Sequence, residues 1–350
     1  MTTIKEIENT DGTWLFLAPV RNLHIGNAVD FEFTVNRVTF INSSRLAKRR
    51  RRYGFNTPLS EIKKKYKGIL GSFFHEEKTF ATLRFAGKGK DVKQRFINQV
   101  NDELSIISLS QLGYSKRINN NSPSLSEEKR LGRRSSLMYN LTNDTSYQPN
   151  EVVGKKGSLR LDVDWKEFQK EFFFYDLIKI ISGKTKVAPK WRIDITNAAI
   201  LAGQSQSGQD IPQCFLWNMI ALETLLTQRD DKYSEKLPER TEAFIGWAKD
   251  WKVEDFETKI KDIYLKRCLF VHTGQRDHIS VADILFSDDL LLNVLNNIVK
   301  HPRIFGSKRK LIEFSEKVRA EHTLGIKTKV RPKTLRLLRP QYTKNDLEEI

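Results

Sequence analysis

The second half of the chain carries apolar residues at helical spacing in one segment after another. After Gly183 the repeat of three and four residues dominates, as it does in amphipathic helices. The predicted helices span residues 191–204, 213–228, 239–251, 259–274 and 281–299. Pro212 and Pro238 each stand where a helix tolerates proline, at its first position. Successive helices with short links bury their apolar stripes against one another, so this half predicts an antiparallel helix bundle.

The first half shows a different pattern, with short segments typical of β-strands. Apolar and polar residues alternate between Val29 and Val35, which is the period of a half-buried strand. The predicted strands are 13–20, 29–35, 38–41, 79–85 and 159–163, the last of them able to return to the first sheet. Gly87 to Gly89 predicts a turn before one helix at 91–109, with Asp91 near its N-cap. Several strands followed by a helix predict a small α+β domain.

Together these patterns predict an α+β chain of several parts. The parts are an N-terminal α+β domain at 1–163, one bridging helix within 164–186, a helix bundle at 187–303 and a basic C-terminal extension at 304–350. Residues 45–67 form a basic loop of the first domain. Residues 116–150 are rich in Ser, Asn and Arg, which predicts a long, exposed and flexible loop. The C-terminal extension is typically solvated, and it also suits non-specific phosphate contact.

Charge and composition restrict the partners and the compartment. The formal net charge of +17 and a pI near 9.7 indicate a polyanionic partner, with nucleic acid ahead of an anionic membrane surface. No apolar run approaches the roughly 18 residues that a membrane-spanning helix needs, and Met1 to Asp11 lacks a signal-peptide pattern. The two cysteines, Cys214 and Cys268, lie in apolar helical segments, as core side chains do in a reducing compartment. We therefore expect a cytoplasmic protein with no membrane partner.

No pattern indicates a metal or an organic cofactor. The cysteines and histidines do not recur at the spacing of zinc ligands, and Gly87 to Lys90 is too short to be a phosphate-binding loop. Neither a nucleophile elbow nor an H-E-x-x-H motif occurs in the sequence. We accordingly expect a site that holds no metal and uses no cofactor.

A basic cluster in the first domain has two interpretations. Its cations are Arg49, Arg50, Arg51, Arg52, Lys63, Lys64 and Lys65, with Tyr53, Phe55 and Tyr66 interleaved. A charge run of this kind is often a solvated face with no partner. The alternative is a loop that contacts phosphates and offers aromatic rings for base stacking. Nothing in the cluster sets a register for reading a specific base sequence.

The segment Lys259 to Gly274 places two ionisable side chains on an apolar helix. At about 100° per residue, Arg267 falls on the predicted inward stripe and His272 lies roughly 140° further round. From Leu265 onward most side chains are apolar, which predicts a helix buried on most sides. A buried guanidinium needs a partner. That partner is either an internal carboxylate, for which Glu223 is the candidate, or an anionic substrate in a polar cleft.

These residues resemble a known family. Arg267 to His272 fits the R-x4-H motif of HEPN domains, and Phe215 to Leu226 resembles the long helix of the Apea-like branch with its Ala-Leu-Glu signature. Leu237 to Arg240 resembles the start of the next family helix, and Val271 to Gly274 stands where members often have Val-His-Gly. The resemblance covers about residues 191–300, so it implies that the predicted bundle is a HEPN domain.

The resemblance implies a metal-independent endoribonuclease that acts as a homodimer. Two motif helices would meet across a two-fold axis and form one cleft on an RNA substrate. His272 would act as general base or acid on the ribose 2′-hydroxyl and the leaving oxygen, and Arg267 would hold the scissile phosphate. The expected product ends are 2′,3′-cyclic phosphates. The family also implies a role as a bacterial toxin or an abortive-infection effector in antiviral defence, with the N-terminal domain contacting an inhibitor or sensor.

Four neighbouring residues receive supporting roles, and two competing hypotheses stay open. Glu223 is expected to hold Arg267, and Tyr264 and Lys266 could support phosphate binding. Cys268 departs from the polar residue that many active members carry after the arginine, and a thiol is a poor hydrogen-bond partner. The main alternative is a non-catalytic nucleic-acid-binding or dimerisation module in which Arg267 is structural. A metal-dependent nuclease is the third hypothesis.

Overall fold

The structure, a computed structural model of the chain, is α+β, with an antiparallel sheet in the N-terminal part followed by a mostly helical C-terminal region. The residues described are 11–54, 56, 58, 60–61, 64, 78–125, 133–135, 138–140, 145–147, 150–152, 157–245, 256–326, 330–332, 335 and 337–349. The strands are β1 Asp11–Arg21, β2 Leu23–Ile25, β3 Glu32–Thr34, β4 Thr39–Asn42, β5 Thr79–Lys88, β6 Ser124–Leu125, β7 Arg133–Ser135, β8 Met138–Asn140, β9 Thr145–Tyr147, β10 Asn150–Val152 and β11 Leu159–Leu161. The helices are α1 Ser43–Arg49, α2 Gly89–Leu109, α3 Val163–Glu171, α4 Phe174–Ile181, α5 Pro189–Ser207, α6 Ile211–Leu226, α7 Tyr233–Ile245, α8 Phe256–Thr273, α9 Val281–Lys300, α10 Lys308–Leu324 and α11 Lys344–Glu349. The predicted α+β class is confirmed.

The main sheet has five strands in the order β3-β4-β5-β1-β6, and α2 packs against one of its faces. Phe16 of β1 stacks on Phe96 of α2 with ring centroids 4.6 Å apart. The predicted strand 29–35 is wrong in its first half, because Asp30 and Phe31 have left-handed φ values of 55° and 57° that end an extended run. The predicted turn at Gly87 is also wrong, because β5 continues to Lys88 and α2 begins at the next residue.

Strand β11 does not return to the five-stranded sheet. It pairs in parallel with β2 in a separate two-stranded sheet, with Leu159 opposite Leu23 and Leu161 opposite Ile25. All four of these side chains are buried, so the pair closes the core beside the main sheet. The strand itself was predicted correctly, and its partner was not.

The predicted bridging helix is two helices. Phe172 adopts an extended backbone at the end of α3, and α4 begins at Phe174. Phe173 and Phe174 follow this interruption, and each is fully buried.

The helical region packs directly on α2 of the N-terminal part. At Gly203 of α5 an added Cβ would lie 1.7 Å from the Ser105 carbonyl oxygen of α2, so the two backbones are in contact. Buried residues from the sheet, α2 and the bundle form one continuous hydrophobic core. Among the described residues, no helix combines the length and the apolar character needed to cross a bilayer.

Two details of the predicted bundle are wrong. Pro238 lies inside α7, which begins at Tyr233, and so it does not open the helix. The segment after His301 is not simply a solvated extension, because α10 buries Leu311, Phe314 and Val318 against the bundle. The part of the predicted helix 239–251 that lies beyond Ile245 falls outside the described residues.

The segment 116–150 is not a uniformly exposed loop. Arg117 is buried, β6 joins the main sheet, and β7 to β10 pair as two short antiparallel sheets. Residues 126–132 lie outside the described part of the chain. The C-terminal chain returns to this region, where Lys116 contacts Asp346 at 2.5 Å.

Candidate active site

The motif helix α8 is buried along its first half and uncovered along its second. Phe256, Ile260 and Ile263 pack inward against the bundle. Leu265 and Val271, which the sequence placed in a buried helix, are 57% and 47% exposed. The prediction of burial on most sides is therefore wrong, because α8 packs on α6 and α7 along one side only.

Arg267 points toward α6 and forms an ion pair with Glu223. Its Nη2 donates to Glu223 Oε2 at 2.9 Å, and the side chains are 18% and 8% exposed. Burial raises the pKa of Glu223, and the neighbouring guanidinium only partly offsets that effect. The contact is made by one nitrogen, so the Arg267 fork is not used in the bidentate way that a carboxylate allows. The structure thus brings together the two residues that the sequence paired.

His272 lies in the last turn of α8 with an exposed imidazole. Within the described part of the chain no hydrogen-bond partner of this imidazole is present. Five residues along a helix correspond to about 140° of rotation, and Arg267 turns to Glu223 while His272 faces solvent. Within one subunit the two motif side chains therefore do not converge on one point.

The other predicted site residues of α8 are Lys266, Tyr264 and Cys268, and each contacts another residue of the same chain. Lys266 Nζ donates to Asp283 Oδ1 at 2.8 Å, and Asp283 also belongs to the capping box of α9, so this lysine is not a free phosphate ligand. Burial, and then the hydrogen bond shared with the Cys268 thiol, raises the pKa of Tyr264 to about 12. Tyr264 consequently keeps its proton at neutral pH and cannot serve as a base.

A cavity of about 560 Å³ opens beside Glu223. Three cations line it, namely Lys190, Arg229 and Lys308, together with Asp194 and Asp230. Lys308 Nζ donates to the Thr224 carbonyl oxygen at 2.5 Å, and burial lowers the pKa of this lysine. Each cation comes from a different helix or loop, so no spacing in the sequence could have indicated the cluster.

The predicted basic cluster is partly described. Arg49, Arg51 and Arg52 are exposed at the end of α1 and in the 3-10 turn that follows it. Arg50 is half-buried, and its Nε donates to the Asn56 carbonyl oxygen at 3.2 Å. Lys64 is exposed, and Lys63 and Lys65 lie outside the described residues. The described arginines of this cluster are thus open to solvent or nearly so, as a phosphate contact requires.

Two adjacent carboxylates of α9 are withdrawn from solvent, because Asp288 is buried and Asp289 is half-buried. Asp288 accepts from Arg117 Nε and Nη2, both at 2.8 Å, and the side chains are 8% and 3% exposed. Gln206 and Asn218 also donate to Asp288, at 2.8 and 2.7 Å. This buried network joins the loop after α2 to the bundle, and it belongs to the architecture rather than to an open site.

Asp289 gives the protein a pH-dependent stability. Burial, and then the charge of Asp288, raises the pKa of Asp289 to about 7, with Arg339 at 3.7 Å opposing the shift. Between about pH 4 and 7 the folded protein keeps a proton that the unfolded chain releases, so stability falls as pH rises through this window. We expect Asp289→Asn to be more stable than the unchanged protein by about 2 to 4 kcal/mol at pH 8, and by no more than about 1 kcal/mol at pH 4.5. Urea denaturation at both pH values measures the difference.

The matched control for this prediction is Asp277→Asn, which changes an exposed carboxylate in the loop after α8. Its stability should equal that of the unchanged protein at both pH values, because the Asp277 side chain is exposed to solvent. A gain for Asp289→Asn that is the same at pH 4.5 and pH 8 would show that Asp289 titrates normally.

The chain was also compared with known proteins. No family model, no functionally curated protein and no solved structure matches the chain. Within the described residues no group of three or more His, Cys, Asp or Glu side chains is arranged to hold a metal ion. The functional assignment therefore rests on the geometry of α8 and its neighbours.

Proposed function

We propose that the chain is an endoribonuclease of the HEPN type that cleaves RNA without a metal ion. The observation that carries the proposal is the uncovered end of α8. There His272 is exposed without a partner among the described residues, and Arg267 remains 18% exposed while Glu223 holds it. An imidazole open to a substrate and an oriented guanidinium are the two groups that metal-independent cleavage of a ribose phosphodiester needs.

The same end of α8 supports a homodimer. Leu265 and Val271 expose apolar surface, and Leu269 and Phe270 are only half-buried. Apolar side chains that are removed from water stabilise an interface, and a two-fold axis would bring the same face of both subunits together. The dimer would also compensate for the divergence of Arg267 and His272 within one subunit, because residues from both copies would then line a shared cleft.

The proposed reaction uses these side chains as follows. His272 accepts the proton of a ribose 2′-hydroxyl, and the oxygen attacks the adjacent phosphorus. The bond from phosphorus to the 5′-oxygen breaks, and protonated His272 of the partner subunit donates a proton to that oxygen. The N–H groups of Arg267 that Glu223 does not use donate to the non-bridging oxygens, where charge develops. The products carry a 2′,3′-cyclic phosphate and a 5′-hydroxyl.

Charge supports a polynucleotide substrate. The chain has a net charge of +17. A protein with this excess of cations attracts the phosphate backbone whatever the base sequence. A role as a toxin or abortive-infection effector in antiviral defence, with the N-terminal part contacting an inhibitor or sensor, is the biological setting that we propose for such an activity.

A DNA strand with a single ribonucleotide tests the chemistry. Because the 2′-hydroxyl is the nucleophile, we expect cleavage in EDTA only on the 3′ side of that ribonucleotide, and none in the all-DNA strand. Gel electrophoresis of the labelled strand locates the cut, and all-RNA of the same sequence is the positive control. Cleavage of the all-DNA strand, or activity that EDTA abolishes, would contradict the proposal.

The ion pair of Arg267 also favours a second candidate function. A guanidinium held 2.9 Å from Glu223 can serve the fold alone, as it would in a non-catalytic nucleic-acid-binding or dimerisation module. Such a module would bind RNA and DNA alike in a salt-dependent manner and would produce no new ends. The single-ribonucleotide strand separates the two functions, because only the nuclease shortens it.

A further inference from the structure

A second positively charged site lies on the N-terminal sheet, away from α8. A cavity of about 350 Å³ is lined by the guanidinium-bearing residues Arg37, Arg52 and Arg84 together with Tyr53 and Thr82. No carboxylate of the described residues lines this cavity. Arg37, Arg52 and Arg84 are all exposed. The cavity beside Glu223 is different, because both carboxylates and cations line it.

The sheet register places Arg84 on the face opposite α2. In the pairing of β1 with β5, Phe85 lies opposite Trp14 on the face toward α2, so the next pair, Arg84 with Leu15, points to the other face. Gly54, at the end of the 3-10 turn, has a φ of +93°, and an added Cβ there would lie 2.4 Å from Arg84 Nη2. The guanidinium therefore rests against the turn backbone, which a side chain at position 54 would block.

Arg37 is positioned by the loop between β3 and β4. The backbone N–H groups of Asn36, Arg37 and Val38 donate to the buried carboxylate of Glu103 at 3.0 to 3.2 Å. The Arg37 Cζ lies 5.0 Å from the centroid of the Phe85 ring, a cation–π contact on the α2 side of the sheet, so this guanidinium lies at the margin of the cavity. An arginine held in this way loses less side-chain entropy when it binds a ligand than a freely rotating one would.

The charges around the cavity are incompletely balanced. Arg52 lies 3.5 Å from Glu32, which also accepts a hydrogen bond from the Tyr53 hydroxyl. Arg37 and Arg84 have no carboxylate partner within the described part of the chain. Like charges that line one cavity repel each other, and a bound anion relieves that repulsion. The geometry thus favours an anionic ligand in the cavity.

We propose that this cavity binds the phosphate groups of single-stranded RNA. Guanidinium groups bind phosphate through two N–H donors at once, which a set of positioned arginines favours. A flexible single strand can follow a concave surface and present its phosphates to the arginines. The choice of RNA as the ligand rests on the proposed nuclease function; the anion site itself does not. The cavity would then hold substrate RNA on the N-terminal sheet, away from the proposed cleavage site on α8.

Binding is tested with a fluorescein-labelled oligouridylate in which every ribose carries a 2′-O-methyl group. This strand keeps its phosphates but lacks the nucleophile of the proposed cleavage, so binding is measured whether or not the protein is a nuclease. We expect Arg37→Gln/Arg84→Gln to weaken binding about tenfold or more at low salt. The slope of log Kd against log salt should fall by about 1.4, or about 0.7 for each lost phosphate contact. Fluorescence anisotropy measures both quantities, and an unchanged melting temperature shows that the variant is folded.

The control removes the same charge elsewhere, with Arg309→Gln/Lys344→Gln, whose side chains are 85% and 88% exposed. This control should bind the strand almost as well as the unchanged protein. Equal weakening by both double variants would overturn the site, because binding would then follow net charge alone. Displacement of the strand by micromolar uridine monophosphate would overturn the assignment to a strand in favour of a free nucleotide. If the cleavage test fails, Arg37→Gln/Arg84→Gln is still expected to bind the labelled strand more weakly, because this binding does not depend on cleavage.

Discussion

Replacing His272 by alanine is expected to lower the rate of RNA cleavage by about 10²- to 10⁴-fold, the usual contribution of a general acid or base. Because the proposed cleft contains His272 from both subunits, the substitution removes the base and the acid together. The imidazole is exposed and has no hydrogen-bond partner among the described residues, so the melting temperature should not change. Initial rates on a labelled RNA, with thermal denaturation in parallel, measure both effects.

The control for this prediction is His322→Ala, which removes another exposed histidine from the last turn of α10. Its cleavage rate should equal that of the unchanged protein. Arg267→Ala is a less informative variant, because it also leaves Glu223 buried without a partner and so lowers stability along with activity. A His272→Ala protein that cleaves at more than a tenth of the normal rate would contradict the assigned role.

Removing Arg117 is expected to destabilise the protein by about 3 to 5 kcal/mol, which is the effect of breaking a buried ion pair at one partner. Asp288 would lose both guanidinium hydrogen bonds and remain in the interior, where Gln206 and Asn218 cannot neutralise its charge. A typical domain is stable by only about 5 to 15 kcal/mol, so Arg117→Ala should unfold at much lower urea concentration. Urea denaturation followed by circular dichroism measures the free energy of unfolding.

Arg309→Ala serves as the control for Arg117→Ala, because the Arg309 side chain is 85% exposed and pairs with Glu313 on the same helix, α10. A surface pair of this kind contributes at most about 1 kcal/mol. If Arg117→Ala lost no more stability than Arg309→Ala, the network around Asp288 would not be what holds the loop after α2 to the bundle.

Local periodicity was enough to predict most of the elements. Short strand-like segments predicted β1, β4 and β5, and the three-and-four repeat predicted α2, α5, α6, α8 and α9, each within a few residues of its observed bounds. The errors arose where tertiary contacts override local pattern. Phe172 leaves the helical conformation between α3 and α4, although the local pattern there continues one helix. Similarly, Pro238 sits inside α7, because the residues before it already form the first turn of that helix.

The candidate site was predicted in part. The ion pair of Arg267 with Glu223 followed from the need of a partly buried guanidinium for a carboxylate. The exposure of Leu265 could not be predicted, because an apolar helix face looks the same whether its own chain or a second copy covers it. Arg117 and Asp288 are separated by more than a hundred residues, and no local pattern joins them. The position of Arg84 in the predicted strand 79–85 could have indicated a cation on the outward face of the sheet, but no prediction was made from it.

The measurement that tests the central claim most directly is end mapping of total RNA after incubation with purified unchanged protein and His272→Ala protein in EDTA. The account predicts new 2′,3′-cyclic phosphate and 5′-hydroxyl ends with the unchanged protein and none with the variant. Equal numbers of new ends in both samples, or no new ends in either, would contradict the claim that His272 and Arg267 of paired subunits cleave RNA.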